Sequence, residues 1–371
     1  MPSSASPSRS THSPRPSARS LPAAERPRPG AGRAIPVVMA RVRWYTCGYP
    51  ATQRDTMILI IGGMGFIGLN TALRFLEAGQ KVVISQHSSR RVPDVLKSEI
   101  GTRAFVAQMD VTNPYEVFEV VRRHQIESIV NLMAPPARSL STQADYHLYT
   151  AGLQNVLEAA RTFGLRRVSL GSSVAVYGGL PAGPYREDTT LPVSSPTQVS
   201  AFKKGMEMHA HFYAAQAKLD VVALRIGSIY GPFYYSMHNP ISRMCHAAAK
   251  NTEPDFSDRP DGKISEDDQA DWTYVKDVAR GIQLVHTAEK LPHRIYNIAS
   301  GRATSNRDAF DAVRKAVPGA RCSALKPGKT PGASTNPATD LSRAKDVGYQ
   351  PEHTLETGIA AYIDWLRTNP Q

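Results

Sequence analysis

Short apolar runs and amphipathic stretches alternate along much of the chain. Residues 57–61 are MILII, an apolar run of strand length without polar alternation, which is typical of a strand buried on both faces of a sheet. The next stretch, FIGLNTALRFLEAG, has apolar residues at helical spacing and ends at Gly79, a residue type favoured just after a helix. The pattern therefore predicts a strand, a glycine-containing turn and a helix.

The same alternation continues to about residue 232. It predicts further strands at KVVIS (81–85), RAFVAQMD (103–110), IESIVNLMA, RRVSLGSS and VVALRIG. Helices are predicted between them, one with Asn113 as its cap and Pro114 at its first position. Because strands and helices alternate, the sequence predicts an α/β fold with a doubly wound parallel sheet (a Rossmann fold) and right-handed crossovers.

After residue 232 the alternation loosens, and helices are predicted near 238–250, 275–289, 306–316 and 356–367. We therefore expect three parts with an interleaved boundary between the last two: a disordered or non-native N-terminal extension (1–56), a Rossmann dinucleotide-binding domain (57–232) and a smaller C-terminal α/β substrate-binding lobe (233–371).

The composition is typical of a globular chain, since 41% of the 371 residues are hydrophobic and 20% are charged. No run approaches the roughly 18 apolar residues that a membrane-spanning helix needs. The three cysteines, Cys47, Cys245 and Cys322, are far apart and form no C-x-x-C pair. This spacing argues against a disulfide framework or a zinc site and favours a reducing, cytoplasmic location without a bound metal.

The net charge of +12 is unevenly distributed. Residues 1–56 contain nine Arg, no Lys and only two acids, Glu25 and Asp55, so they contribute 9 − 2 = +7 and the rest of the chain +5. The basic excess thus belongs largely to the N-terminal segment. Because nucleic-acid binding needs a basic patch on a folded module, we expect neither a nucleic-acid nor a membrane partner.

The N-terminal segment is rich in Ser, Pro and Arg and has no apolar region like that of a secretory signal. Three interpretations remain: a disordered extension, an organelle transit peptide, or an over-long gene start whose true first residue is Met57. We favour the third interpretation, because Met57 is the first residue of the first predicted strand.

A glycine-rich turn, IIGGMGFIG, joins the first predicted strand to the first helix. It places Gly62, Gly65 and Gly68 at G-x-x-G-x-x-G spacing, and Phe66 and Ile67 open the helix. Glycines allow the backbone to approach a pyrophosphate, whose charge is stabilised at the helix N-terminus. The turn therefore predicts a dinucleotide cofactor; a tight turn without a ligand is the alternative.

The end of the second predicted strand bears on the choice between NAD and NADP. A carboxylate there would accept from the ribose hydroxyl of NAD, whereas an Arg suits the 2′-phosphate of NADP. The segment is SQHSSRR, with no acid before Asp94 and with Arg90 and Arg91 available to a phosphate. We therefore expect NAD(P), leaning towards NADP, unless both arginines are merely solvated loop charges. Asp110 is expected to meet the adenine amine or, alternatively, to cap the next turn.

Several further motifs occur in a fixed order: GLQNVLEAA (152–160), GSSVAVYG (171–178), LRIGSIYGP (224–232), DWTYVKDVA (271–279), YNIASG (296–301) and DLSRAKDVGYQP (340–351). Together with GGMGFIG, and with Lys203 and Glu207, they resemble the extended short-chain dehydrogenase/reductases, the NAD(P)-dependent epimerase/dehydratase group. The resemblance runs from Met57 to near Gln371. It also implies a cofactor groove that includes Val111, Leu132, Met133 and Ala134.

The resembled family uses a Ser, a Tyr and a Lys at its active site. Its phenol is the general acid/base, its Lys lowers the phenol pKa and holds the nicotinamide ribose, and its Ser bonds the substrate oxygen. Ser173 matches the Ser and Lys203 the Lys. The family pattern Tyr-x-x-x-Lys places Val199 where the Tyr belongs, and a register shifted by one residue places Ser200 there.

The expected acid/base is therefore absent from its position. Tyr177, Tyr185 or a water held by Ser173 could replace it, and these alternatives remain open. Lys203 is expected to keep its cofactor role; its alternative interpretation is an exposed helix lysine.

Two departures from the sugar-nucleotide members weaken a UDP-sugar interpretation. Ala270 stands where those members usually have an Arg, and Ser228 where an Asn is common. We therefore expect an oxidoreductase or epimerase acting on a small polar, sugar-like or hydroxy/keto substrate with an atypical acid/base. A cofactor-binding sensor or partner subunit and a non-redox lyase or isomerase are the alternatives.

The resemblance also implies a homodimer formed by helices near 145–163 and 200–217. The apolar residues of these helices could instead serve the monomer core; they are Leu148, Leu153, Val156, Leu157, Phe202, Met206 and Phe212.

Overall fold

The computed structural model describes residues 57–87, 91–135 and 141–369. The predictions for residues 1–56, and the prediction for Arg90, lie outside the described residues. The strands are β1 (Met57–Ile61), β2 (Lys81–Gln86), β3 (Ala104–Gln108), β4 (Ser128–Asn131), β5 (Arg167–Ser173), β6 (Val221–Ile226), β7 (Ser228–Tyr230), β8 (Ile264–Ser265), β9 (Gln269–Ala270), β10 (Trp272–Tyr274), β11 (Ile295–Ile298), β12 (Thr304–Ser305) and β13 (Leu325–Lys326). The helices are α1 (Phe66–Glu77), α2 (Pro114–Arg123), α3 (Thr142–Phe163), α4 (Gln198–Ala217), α5 (Pro240–Ala249), α6 (Val275–Thr287), α7 (Asn306–Ala316), α8 (Ser342–Lys345) and α9 (Leu355–Thr368).

Seven strands form the central sheet in the order β11-β6-β5-β4-β1-β2-β3. Every neighbouring pair in it is parallel, which confirms the predicted doubly wound α/β fold. The strand order reverses between β1 and β4. In open sheets of this kind, ligands bind beyond the carboxyl ends of the strands at such a reversal.

Local sequence signals account for several helix ends. The Asn113 side chain accepts a hydrogen bond from the Tyr115 amide and Pro114 occupies the first turn of α2, as predicted. Gly79, just beyond α1, has a φ of 77°, a conformation that glycine adopts without the strain a Cβ would cause. The helix expected near 145–163 begins somewhat earlier, at Thr142, with Ser141 as its cap.

Two apolar layers enclose the sheet. Leu59 and Ile61 of β1 belong to the layer that includes buried residues of α2, α3 and α4, whereas Ile58 and Ile60 belong to the layer of α1 and α6. All four side chains are at most 2% exposed. The unbroken apolar run at residues 57–61 thus reflects a strand covered on both faces.

The C-terminal part interleaves with the dinucleotide-binding part. β11 pairs with β6 at the edge of the central sheet, and α6 packs in the same layer as α1. A separate apolar core includes buried residues of α5, α7 and α9. Elements from both sides of residue 232 therefore share the central sheet and one of its apolar layers. The division into two domains at that residue stays a prediction.

Among the described helices, none combines the length and apolar character needed to cross a bilayer. Cys245 and Cys322 are both free thiols, and Cys47 lies outside the described residues. The described part of the chain contains no group of His, Cys, Asp and Glu side chains that could hold a metal ion.

Candidate active site

The glycine-rich turn is closely packed against the neighbouring strand. Gly62 has a φ of 72°, and a Cβ there would lie 2.8 Å from the Leu132 carbonyl oxygen. A Cβ at Gly68 would collide with the Gly62 oxygen. Glycine at this position therefore allows the start of α1 to lie directly against the turn. Gly65 caps α1 without a side-chain hydrogen bond, so first-turn amide groups face outwards for an anion. These features fit a dinucleotide pyrophosphate.

The end of β2 carries no carboxylate among its described residues. Ser85 Oγ accepts from the Gly62 amide at 3.1 Å, and Gln86 Nε2 donates to the Arg91 carbonyl at 2.9 Å. The first acid, Asp94, forms an ion pair with Lys97 at 2.7 Å. This arrangement leaves the preference for NADP as a prediction.

The remaining predicted groove residues follow β3 and β4. Asp110 Oδ1 accepts from the amide and hydroxyl of Thr112, both at 2.8 Å, which agrees with its alternative interpretation as a turn cap, and its contact with the adenine amine stays a prediction. Val111 and Met133 lie against Gly152 of α3, where a Cβ would approach their side chains to 3.1 and 2.9 Å. Leu132, Met133 and Ala134 follow β4 directly.

Lys203 is not an exposed helix lysine. Its side chain is buried, with 7% of the residue exposed, and its Nζ donates to the Gly171 carbonyl oxygen of β5 at 2.6 Å. Burial lowers the pKa of Lys203 to about 8, although Glu207 opposes the change. An ammonium group whose pKa is lowered by burial thus stands near the carboxyl end of the strand that carries Ser173.

Glu207, one turn further along α4, anchors the helix to the sheet. It forms a buried ion pair with Arg225 of β6 at 2.8 Å and accepts a hydrogen bond from the Ser172 hydroxyl. Ser173 Oγ accepts from the Ala175 amide at 3.1 Å and also lines the cavity beside it. The predicted pair of Ser173 and Lys203 therefore comes from two elements held together by a buried charge network.

Two of the phenols proposed to replace the missing Tyr are engaged elsewhere. The buried Tyr177 hydroxyl donates to Asn297 Oδ1 at 2.8 Å and accepts from Arg225 Nη1 at 2.9 Å. The Tyr185 hydroxyl lies 2.5 Å from Ser334 Oγ. Val199 is 46% exposed and carries no group that can transfer a proton.

A cavity of about 820 Å³ opens beside Ser173. Among the described residues that line it, none is Lys or Arg. Its one carboxylate, Asp271, accepts hydrogen bonds from Ser300 and Thr339 at 2.6 and 2.8 Å and is therefore committed to the fold. This inner cavity is suited to neutral, hydroxylated chemistry.

A second cavity of about 620 Å³ adjoins the first and shares Pro240, Gln269, Ala270 and Trp272 with it. Its lining includes four cations, Arg259, Lys263, Lys326 and Lys329. No local pattern in the sequence indicates this basic cavity, because its cations come from segments more than 60 residues apart. Only the fold brings them together.

The family model of the NAD-dependent epimerase/dehydratase family matches residues 58–299. The chain belongs to this family, as the resemblance predicted, and with it to a class of NAD-dependent enzymes.

Individual proteins agree with that assignment. Protein CapI of Staphylococcus aureus is 26% identical over 340 residues, covering 83% of this chain and 97% of that protein. The UDP-glucuronate 4-epimerase of Thermodesulfobacterium geofontis is 24% identical over 332 residues, covering 84% and 96%. The UDP-glucose 4-epimerase of Thermus thermophilus, solved in complex with NAD, has a TM-score of 0.69 at 21% identity, covering 85% of this chain and all of that one.

Proposed function

We propose that the protein is an NAD(P)-dependent oxidoreductase or epimerase that acts on a sugar-like hydroxy or keto compound carrying an anionic group. The observation that carries this proposal is the position of Ser173 and Lys203. They stand at the carboxyl edge of the sheet, near the glycine-rich turn, and Ser173 lines the inner cavity.

Each group has a physical role in this proposal. The nicotinamide, when bound, supplies or accepts a hydride. The amide groups at the start of α1 hold the pyrophosphate, Lys203 binds the nicotinamide ribose, and the Ser173 hydroxyl orients the substrate oxygen. The inner cavity, which Ser173 lines, would hold the reacting carbon beside the Ser173 hydroxyl.

The two cavities suggest which part of the substrate binds in each of them. The inner cavity, which has no Lys or Arg in its described lining, suits the hydroxylated, reacting part, and the four cations of the basic cavity suit a phosphate or diphosphate. Relatives whose names specify UDP-sugars support such a substrate. The Ala270 side chain has no group that can donate to a phosphate, so here lysines would hold the phosphate in a different manner.

The preference for NADP and the homodimer belong to the same proposal. Of the apolar residues expected at the dimer face, Leu153, Val156, Leu157 and Met206 are buried within the chain. Phe212, however, is 70% exposed, as are the nearby Met208 (64%) and Tyr146 (61%). These three side chains support an apolar contact between two copies through α3 and α4.

A turnover screen tests the proposed function. The protein is mixed with NAD+ or NADP+ and with UDP-sugars, sugar phosphates, free sugars or hydroxy acids, and conversion is followed by nicotinamide absorbance and product chromatography. We expect turnover of a phosphate-bearing sugar, with KM raised by Lys263→Ala combined with Lys326→Ala. Lys290→Ala, an exposed lysine outside both cavities, is the matched control. Turnover confined to free sugars or hydroxy acids would contradict the anionic part of the proposal.

One alternative has specific support: a cofactor-binding sensor or partner subunit. Val199 replaces the family phenol, and Tyr177 is bound within the fold. Cofactor binding at micromolar affinity without turnover of any compound in the screen would favour this alternative.

A further inference from the structure

Lys203 has an aromatic neighbour that the Tyr-x-x-x-Lys pattern does not include. Tyr149 lies on α3, and its ring faces the Lys203 ammonium, with Nζ 5.2 Å from the ring centroid. The same ring stacks on Phe202 of α4 at 4.6 Å and 24°. A cation over the face of an aromatic ring is attracted by the ring, and this attraction helps to keep the two side chains in place. The two helices thus place a phenol beside the lysine that lacks its usual partner.

The Tyr149 hydroxyl differs from the other phenols near the site. The residue is 5% exposed, yet its hydroxyl makes no hydrogen bond to any other described residue, whereas those of Tyr177 and Tyr185 do. The ring is packed in the core, and its hydroxyl has no hydrogen-bond partner among the described residues.

The direction of the side chain places that hydroxyl at the correct edge of the sheet. Helical side chains lean towards the N-terminus of their helix, and α3 starts beyond the carboxyl end of β4. Asp145, one turn before Tyr149, accepts from Gln198 Nε2, at the first residue of α4, at 2.7 Å. The Tyr149 side chain is therefore expected to lean towards the place where the first turns of α3 and α4 meet, and Val199 is the second residue of α4.

We propose that Tyr149 supplies the proton-transfer group of the active site, in place of the phenol missing at position 199. The assignment rests on the proposed function. When a carbonyl substrate accepts a hydride at carbon, the Tyr149 O–H bond breaks and its proton moves to the substrate oxygen. The bonding electron pair stays on the phenolate oxygen, near the Lys203 ammonium. The oxidation of an alcohol is the reverse sequence.

The local electrostatics favour the protonated phenol at rest. Burial raises the pKa of Tyr149 to about 12, and the Asp145 carboxylate adds to this rise. Two charged groups act on the ring: the Lys203 ammonium on α4 lies over its face, and the Asp145 carboxylate is on its own helix, α3. A bound nicotinamide cation would oppose Asp145 and, together with the ammonium, bring the phenol into the range needed for transfer.

The test uses the full-length protein labelled with [ζ-13C]tyrosine, with NAD+ and NADP+ as probes. Tyr149→Phe identifies the Tyr149 signal among the 15 tyrosines and keeps the ring that packs on Phe202. We expect a saturating cofactor to shift this signal and to lower its titration midpoint by about one to three pH units. Tyr146, on the same helix but 61% exposed, is identified by Tyr146→Phe and should keep its midpoint.

Three outcomes separate the two levels of the account. A lowered midpoint confined to Tyr149 supports the assignment. A cofactor that binds without moving the Tyr149 signal overturns the assignment and leaves the proposed function standing. If neither cofactor binds the wild-type protein, the proposed function is wrong and the assignment falls with it.

Discussion

Two buried polar clusters lie at opposite ends of the central sheet. Near the amino ends, His286 of α6 bridges two strands, with Nε2 2.8 Å from Ser128 Oγ and Nδ1 2.8 Å from Ser169 Oγ. Near the carboxyl ends, Lys203 donates to one carbonyl, and Tyr149 keeps an unpaired hydroxyl among the described residues. The first cluster satisfies both ring nitrogens of its histidine, whereas the second leaves donors for something else.

The contrast separates stability from function. A buried network whose polar groups are all paired stabilises one structure. An incompletely paired group costs free energy unless a ligand completes it, and such groups concentrate at functional sites. The carboxyl edge contains both kinds, because Glu207 and Arg225 are paired with each other, while the Tyr149 hydroxyl has no hydrogen-bond partner among the described residues and Lys203 donates to a single carbonyl. The following predictions test this division.

The largest expected effect is on turnover. Tyr149→Phe should lower kcat by about 10²- to 10⁴-fold, the usual contribution of positioned acid–base catalysis, with little change in cofactor affinity. Adding Val199→Tyr to Tyr149→Phe should restore part of the rate, because it returns a phenol to the position from which the family supplies it. Steady-state kinetics measure both effects. Tyr146→Phe is the control and should keep the wild-type rate. Equal rates for wild type and Tyr149→Phe would contradict the role of Tyr149 as the proton-transfer group.

Loss of the buried ion pair should have the next largest effect, now on stability. Arg225→Met leaves the Glu207 carboxylate buried without its partner, which costs about 3–5 kcal/mol of the free energy of unfolding. Chemical denaturation followed by circular dichroism measures the change. The matched control is Arg122→Met, which removes an exposed pair with Glu119 and should cost at most about 1 kcal/mol. Similar losses in both variants would show that Glu207 is not anchored as described.

Acid should lower the free energy of unfolding through the His286 cluster. Burial lowers the pKa of His286 to about 3, whereas an unfolded histidine titrates near pH ~6.5. The unfolded state therefore binds the proton first, so this contribution is complete above about pH 6.5 and declines by about 1.4 kcal/mol per pH unit on acidification towards pH ~3. Denaturation midpoints between pH 7 and 4 should show this slope, and it should be reduced in His286→Gln. An unchanged slope in that variant would exclude His286 as the source.

The smallest expected effect concerns cofactor choice. If Arg91 contacts the 2′-phosphate, Arg91→Ala should weaken NADP+ binding by about tenfold, the lower end of a charge-assisted hydrogen bond, and leave NAD+ binding unchanged. Isothermal titration calorimetry with both cofactors measures the difference. Equal weakening for both cofactors would assign Arg91 a general role, and tighter NAD+ binding in the wild type would reverse the preference.

The sequence predicted the sheet and the turn because their causes are local. The MILII strand, the glycine spacing and the Asn113–Pro114 helix start each depend on neighbours within a few residues. The same reasoning identified Val199 as a missing phenol and Lys203 as the residue that lacks it. Tyr149 could not be assigned from the sequence, because Tyr149 and Lys203 are 54 positions apart and meet only where α3 packs against α4.

Other parts of the site also depended on tertiary packing. Tyr177 looked available in its motif, but the fold places Asn297 and Arg225 against its hydroxyl. The basic cavity combines residues from two distant segments, so no pattern along the chain could indicate it.

The most direct test of the central claim is an equilibrium titration of NAD+ and NADP+ against three proteins: wild type, Lys203→Met and Lys204→Met. Lys204 is the adjacent lysine, and it donates to the Pro192 and Ser194 carbonyls rather than to the sheet. We predict that Lys203→Met weakens binding of the preferred cofactor by about tenfold or more, as the loss of a hydrogen bond from a charged group implies. Lys204→Met should bind as the wild type does. Equal affinities for all three proteins would contradict the claim that the cluster of Lys203 and Tyr149 at the carboxyl edge is the cofactor site.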